Sequence, residues 1–269
     1  MGALRDIAKR LPWGMRKTAA FFALHGSGLI FSRRFDGIYQ SFDDLPASFP
    51  DEAIAGHAFN NAIRPKMDEL SGAPILRQHH ALLPTVVSMT ADRSKTFRVL
   101  DFGGGAGLDY SNLSYAIPRS QPISYTVVEL PALCNAGRKL WSGDSRIAFS
   151  ETLPPTGTEF DLVYSWSALE FHAQPLEVLE KFASYKPKAI LIAHTPMVSA
   201  SAFVRGQYDA RSNSLFPVWV LSIAELERVL LANGYRLAMH SCYDDDYPVD
   251  NFDAQHKVPH TVSLLFLPN

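Results

Sequence analysis

The chain has 269 residues, 47% of them hydrophobic and 19% charged, which is enough for one large domain with a sizeable core and excludes a disordered or low-complexity protein. Lysine and arginine total 25 against 27 aspartates and glutamates, and a net charge of −2 argues against coating of DNA or RNA, so no nucleic-acid partner is expected. The two cysteines, Cys134 and Cys242, supply neither a disulfide framework nor a metal-binding spacing and suit free thiols in a reducing, cytoplasmic compartment.

The charge is uneven along the chain. Residues 1–34 carry seven lysines and arginines against the single acid Asp6, a local balance of +6 that leaves −8 for the rest. The apolar run Ala19–Leu24 is far shorter than the roughly 20 residues that span a bilayer. His25 and Gly26 break it, and no clear small-residue cleavage site follows. Two readings stand for this segment: an interfacial helix making weak peripheral contact with anionic lipid at the inner face of a membrane, or a solvated helix packed on the main domain, which is preferred. Residues 4–95 read as mostly helical, with loops at Phe35–Asp43 and Pro46–Asp51. Apolar side chains fall at helical spacing through Asp51–Ala62, and a further helix over Leu76–Met89 is interrupted or kinked at Pro84. Residues 1–95 are therefore assigned to a helical N-terminal extension and 96–269 to the main domain.

From Phe97 the pattern changes. Short apolar runs at Phe97–Phe102, Tyr125–Leu130, Phe160–Tyr164 and Ala189–Ala193, with a weaker one at Arg146–Phe149, predict buried strands. Helical patterns lie between them at Leu108–Ala116, Pro131–Trp141 and Pro175–Ser184, the last two opened by a proline where the first turn tolerates it. Strands alternating with helices of about ten residues imply βαβ units and a parallel sheet covered on both faces. Regularity loosens through Met197–Leu215. Ser222–Asn233 then predicts a helix with Ser222 as cap, Glu225 at the capping-box position and Gly234 as terminator. Tyr235–Cys242 and Thr261–Leu267 predict an antiparallel hairpin closing a seven-stranded sheet, and the acidic loop between them, Tyr243–His260, is a candidate rim or lid.

The chemistry concentrates at Val99-Leu100-Asp101-Phe102-Gly103-Gly104-Gly105-Ala106-Gly107, a strand end opening into a helix. Glycines here let backbone turn tightly and approach a ligand closely. A dinucleotide fingerprint needs G-x-G-x-x-G, yet its third glycine falls on Leu108 counted from Gly103 and on Tyr110 counted from Gly105, which disfavours a nucleotide-cofactor oxidoreductase. A phosphate-binding loop needs a Gly-Lys-Ser/Thr end, and no lysine follows. What fits is acid-x-Gly-x-Gly-x-Gly, which resembles motif I of the class I S-adenosyl-L-methionine-dependent methyltransferases. That resemblance implies a Rossmann-like α/β fold, S-adenosyl-L-methionine as cofactor, and methyltransferase activity (EC 2.1.1.-). Asp101 would help hold the cofactor's ammonium, directly or through water, while Gly103, Gly104, Gly105 and Gly107 let the sugar and amino-acid parts lie close.

Glu129 ends the next strand, where one carboxylate can accept both ribose hydroxyls. Ser150 and Glu151 follow the weak strand, where related enzymes contact the adenine amino group, and Ser165 to Ser167 stand at the mouth where cofactor and acceptor meet. The stretch Phe35-Asp36-Gly37-Ile38-Tyr39-Gln40-Ser41-Phe42, the glycine loop, Ser165–Phe171 and a tail with Phe203, Gln207, Ala232–Tyr235 and Val258–His260 are similar to a family of methyltransferases associated with surface-polysaccharide biosynthesis. Trp166 and Glu170 depart from that family's pattern. The expected acceptor is a small molecule or a sugar-containing intermediate, methylated at a hydroxyl that needs a general base. His194 is the first candidate base and His172 the second; His79 and His80 are adjacent on a helix and point apart. No metal site is expected. A methyltransferase fold that binds without turnover is the alternative reading.

Overall fold

The computed structural model describes residues 35–45, 78–209, 214–244 and 249–269. The basic segment before residue 35 and the helix expected at Asp51–Ala62 lie outside those residues. The described residues open with strand β1 (Phe35–Tyr39) and a 3-10 turn at Phe42–Asp44, where the sequence suggests a loop. A second 3-10 turn, Gln78–Ala81, leads into helix α1 (Leu82–Thr90). Pro84 therefore sits in the first turn of a fresh helix, where its missing N–H costs nothing, and does not kink a longer one.

The βαβ core follows as β2 (Phe97–Phe102), α2 (Leu108–Ala116), β3 (Ile123–Val128), α3 (Pro131–Leu140), β4 (Ile147–Ser150), β5 (Leu162–Trp166), a 3-10 turn at Leu169–Phe171, α4 (Pro175–Ser184) and β6 (Ala189–Thr195). Next come β7 (Met197–Val198), β8 (Phe203–Asp209), β9 (Ser214–Ser222), α5 (Ile223–Ala232), β10 (Tyr235–Asp244) and β11 (His260–Pro268). The main sheet runs β10-β11-β6-β5-β2-β3-β4, parallel except that β11 is antiparallel to both neighbours. This is a Rossmann-like α/β architecture, with the antiparallel hairpin the sequence predicts.

Alternation along each strand explains the layering. Val99, Tyr125, Val127, Leu162, Tyr164 and Leu191 pack with Leu83, Val86 and Val87 of α1 and Leu113 of α2. Leu100, Val163, Ile190 and Ile192 turn the other way, onto Leu179 and Phe182 of α4 and Leu226 and Leu230 of α5. Each such side chain contributes about 1.5–3 kcal/mol on full burial, so two covered faces fix the register of the strands.

A second, four-stranded sheet runs β1-β8-β9-β7, with β1 and β9 antiparallel to β8 and β7 parallel to β9. The sequence does not foretell it. Buried Arg205 and Gln207 interrupt the apolar alternation of β8, and Gly206 lies between them because a Cβ there would stand 2.5 Å from Leu215. Its β1 partner is about 170 residues earlier, with Phe35 opposite Gln207. Ser222 holds the expected N-cap position of α5, without a side-chain capping bond. It also ends β9, paired with Val198, while Gly234 closes α5 with φ +86° as expected. Of the expected lid, Val249 and Phe252 lie against Phe35 and Val258 against Phe203, while most of the residues between them stay exposed. Among the described residues no helix is long and apolar enough to cross a membrane.

Candidate functional site

From β2 the chain runs outward through β3 and β4, then crosses back to β5 and β6 on the other side of β2. The order reverses between β2 and β5, and the carboxyl edge of an open α/β sheet at such a point is where ligands bind. The glycine loop lies at this point. Gly103, Gly105 and Gly107 have φ of +74°, +59° and +86°, a region that side chains other than glycine rarely occupy. Gly104 is required for a different reason: a Cβ on it would fall 2.1 Å from Oδ2 of Asp101. The carboxylate is therefore tucked directly under the loop.

Asp101, near the end of β2, is fully buried. Tyr125 of β3 donates its hydroxyl to Oδ2 at 2.7 Å, and Oδ1 has no hydrogen-bond partner. Burial first, then the negative charges of Asp109 and Glu129, push this carboxyl well above the usual carboxylate range, opposed by the Tyr125 bond. Asp109, in the first turn of α2, is also buried; its Oδ1 lies 3.0 Å from Nδ1 of His80, and Tyr164 of β5 donates to its Oδ2 at 3.2 Å. Burial likewise raises both tyrosines, the adjacent aspartates adding to the effect. Composition and periodicity missed this acid–phenol cluster, since nothing in the sequence marks Asp109 or His80 as buried. A carboxyl on the first helical residue after a glycine turn but one is the only signal available.

Glu129 stands just past β3. Its carboxylate accepts the backbone N–H groups of Leu130 and Gly105, which lower its pKa against a larger upward push from burial. Glu129 thus ties the glycine loop to the end of the neighbouring strand. Ser150 is the last residue of β4 rather than the first beyond it, and its hydroxyl donates to the Thr152 carbonyl at 2.6 Å. Glu151 is exposed and pairs with Arg138 of α3 at 3.3 Å.

Ser165 belongs to β5, fully buried, its Oγ without a hydrogen-bond partner. The turn that follows touches the glycine loop, since a Cβ on Gly103 would meet that of Ala168 at 2.1 Å. Glu170 in this turn is buried, accepts bonds from Ser167 (3.0 Å) and Thr195 (3.3 Å), and is pushed up to about 7 by burial, with those bonds and the charge of Arg205 opposing. The sequence flags Glu170 only as a departure from a family pattern.

His194 lies inside β6 rather than beyond it. The β6–β11 register shifts here, and its backbone N–H donates to Ser263 Oγ at 3.1 Å. With φ +53° the residue takes a left-handed conformation, and its ring stacks on Trp166 at 4.9 Å, Trp166 in turn lying 4.8 Å from His80. His172 is exposed beyond the Leu169–Phe171 turn, its Nδ1 accepting the Gln174 N–H. Asp101, the glycines, Glu129, Ser165 and His194 all share the carboxyl edge of the sheet, whereas Glu151 is engaged on its flank. Among the described residues no group of three or more His, Cys, Asp or Glu side chains is placed to hold a metal ion.

A family described as a methyltransferase domain matches residues 62–240. No curated protein matches the sequence significantly. Among solved structures, the Burkholderia thailandensis 1,6-didemethyltoxoflavin-N1-methyltransferase, bound to its substrate and S-adenosylhomocysteine, is 16% identical with TM-score 0.50, over 84% of this chain and 93% of that one. The methyltransferase solved with the Haloferax volcanii Trm112 activator is 15% identical with TM-score 0.52, over 82% and 97%. The Synechocystis PCC 6803 magnesium protoporphyrin IX methyltransferase, with bound S-adenosylhomocysteine, is 14% identical with TM-score 0.50, over 81% and 100%. At these identities the likeness is one of fold.

Proposed function

We propose that this chain, which belongs to the methyltransferase domain family, transfers the methyl group of S-adenosyl-L-methionine to a hydroxyl of a small molecule or sugar-containing intermediate. The observation that carries the reading is the fit of the loop to that cofactor: a buried carboxylate with one oxygen unpartnered, under a glycine whose missing Cβ brings backbone within reach of a ligand. A cation suits this place and a pyrophosphate does not, because Asp101, Asp109 and Glu129 would repel phosphate. In this reading Asp101 faces the ammonium, the backbone of Gly103, Gly104, Gly105 and Gly107 accommodates the adjoining chain and sugar, and Glu129 accepts the ribose hydroxyls. Ser150 and Glu151 flank the adenine, and Ser165 borders the meeting point with the acceptor.

The cofactor supplies an activated sulfonium methyl, so the protein's own work is alignment and proton removal. His194 is the proton acceptor favoured by placement, because its stacked, half-buried ring is held by a specific backbone bulge. His172, exposed and bonded to its own loop, is second. The polysaccharide-linked resemblance gains support from the gathering of its scattered motifs: Phe35 pairs with Gln207, Arg205 donates to the Val258 carbonyl, and Phe203 packs on Val258. These residues form the second sheet, whose β9 packs on the turn after β5 through Phe216 and Phe171. Calorimetric titration with S-adenosylhomocysteine, then incubation of the protein and methyl-labelled S-adenosyl-L-methionine with small-molecule cell extract, tests the reading. Binding plus a labelled product of low molecular weight is expected. No binding refutes the cofactor assignment, and binding without any labelled product refutes turnover.

A further inference from the structure

The acid–phenol cluster under the glycine loop holds more negative charge than the free protein can accommodate. Asp101 and Asp109 are both buried on the same face of the sheet, and Glu129 stands at the loop's far end. Around Asp101 stand Tyr125 and Glu129 from β3 and its end, Asp109 from α2, Tyr164 from β5 and, through Asp109, His80 from the turn before α1. Tyr125 satisfies one oxygen of Asp101, and the other has no partner. An ionised carboxylate with a bare, buried oxygen beside a second carboxylate is costly, and two acids sharing such a site hold a proton between them.

We propose that the Asp101–Asp109 pair carries one proton in the free protein and gives it up to solvent as the cofactor's ammonium arrives, so that cofactor binding is a cation-for-proton exchange. This rests on the cofactor reading given above. The balance is simple: one carboxyl O–H bond breaks, the proton leaves to buffer, and the resulting carboxylate pairs with an ammonium that keeps its own three protons. The upward push of burial on Asp101 agrees with this arrangement. The exchange makes the cluster a reader of positive charge at the amino-acid end of the ligand. Ligands that lack the ammonium leave the proton in place.

Calorimetry of the full chain in buffers of different ionisation enthalpy counts the proton directly. S-adenosylhomocysteine carries the ammonium; 5′-methylthioadenosine has the same adenosine without it and reports any proton that Glu129 releases to the ribose hydroxyls. At about pH 6.5, S-adenosylhomocysteine is expected to release about one proton more than 5′-methylthioadenosine, and its affinity should rise by up to about tenfold per pH unit until the pair is ionised. Asp109→Asn should shrink the excess, since the neighbouring charge that retains the proton is gone, and a circular dichroism spectrum checks that the variant is folded. Equal proton release by the two ligands overturns the exchange and leaves the cofactor site standing. Failure of both ligands to bind overturns the cofactor reading itself. The wild-type comparison decides the matter even where a variant fails to fold.

Discussion

Gly104→Ala tests the site at its tightest contact. The added Cβ would stand 2.1 Å from Oδ2 and 2.4 Å from Cγ of Asp101, against the 3.4 Å at which ordinary contact begins. The carboxyl has nowhere to go without leaving Tyr125, whose hydroxyl holds it at 2.7 Å. Losing that buried bond costs about 1–3 kcal/mol, and forcing an extra methyl into packed structure costs about 1–3 kcal/mol more. A destabilisation of roughly 2–6 kcal/mol is therefore expected in urea unfolding, with at least about a tenfold loss of S-adenosylhomocysteine affinity in calorimetry, the loss of a single 1.4 kcal/mol contact. Gly143→Ala is the matched control: nothing lies within 4 Å of its Cβ, so its stability should stay within about 0.5 kcal/mol of the parent. If Gly104→Ala unfolds like Gly143→Ala and binds the ligand undiminished, the loop does not rest on Asp101 and the geometric argument fails.

Glu129→Ala should weaken S-adenosylhomocysteine and 5′-methylthioadenosine alike by about 1–3 kcal/mol, because both carry the ribose; an unchanged dissociation constant for either would remove Glu129 from the site. Burial holds Glu170 at about 7 against an ordinary 4.5, so the folded protein keeps a proton that the unfolded chain has lost between those values. Its contribution is complete below about pH 4.5, declines as pH rises, and has cost roughly 3 kcal/mol above about pH 7. Glu170→Gln should flatten that part of the urea-midpoint profile, and parallel profiles for the two proteins would contradict it. Ser263→Ala removes the acceptor of the His194 N–H and should cost about 1 kcal/mol while leaving S-adenosylhomocysteine affinity unaltered; a large affinity loss would mean that the bulge supports the cofactor and not the acceptor side.

The main sheet was legible because its strands are short apolar runs buried on both faces and its helices carry their own start signals. Pro131 and Pro175 open α3 and α4 at the predicted residues. The glycine loop was legible because the spacing of its glycines excludes two other ligand classes. The second sheet was not, since its pairing joins Phe35 to Gln207 across most of the chain and its inner face is partly polar. A buried arginine lying 3.6 Å from the Phe35 ring reads, in sequence, as an exposed strand position. The sequence sets His194 beyond its strand and the structure sets it inside β6, because a bulge with positive φ leaves no pattern in a sequence. Asp109, His80 and Glu170 went unrecognised for one shared reason: burial of a charged group depends on what packs over it, and that is decided by distant segments.

The turn between β5 and α4 links the two halves of the site. At Ala168 it presses on Gly103, the first glycine of the loop after β2. Two residues later Glu170 bonds to Thr195 of β6 and lies within the field of Arg205 from the second sheet. Just before them Ser167 takes φ +48°, a conformation costing about 1–3 kcal/mol outside glycine, held by its N–H on the Ala193 carbonyl and its hydroxyl on Glu170. Strain at Ser167 and a neutral-pH carboxyl at Glu170 thus have a common physical origin: the eight residues 167–174 must pack against the glycine loop on one side and the second sheet on the other.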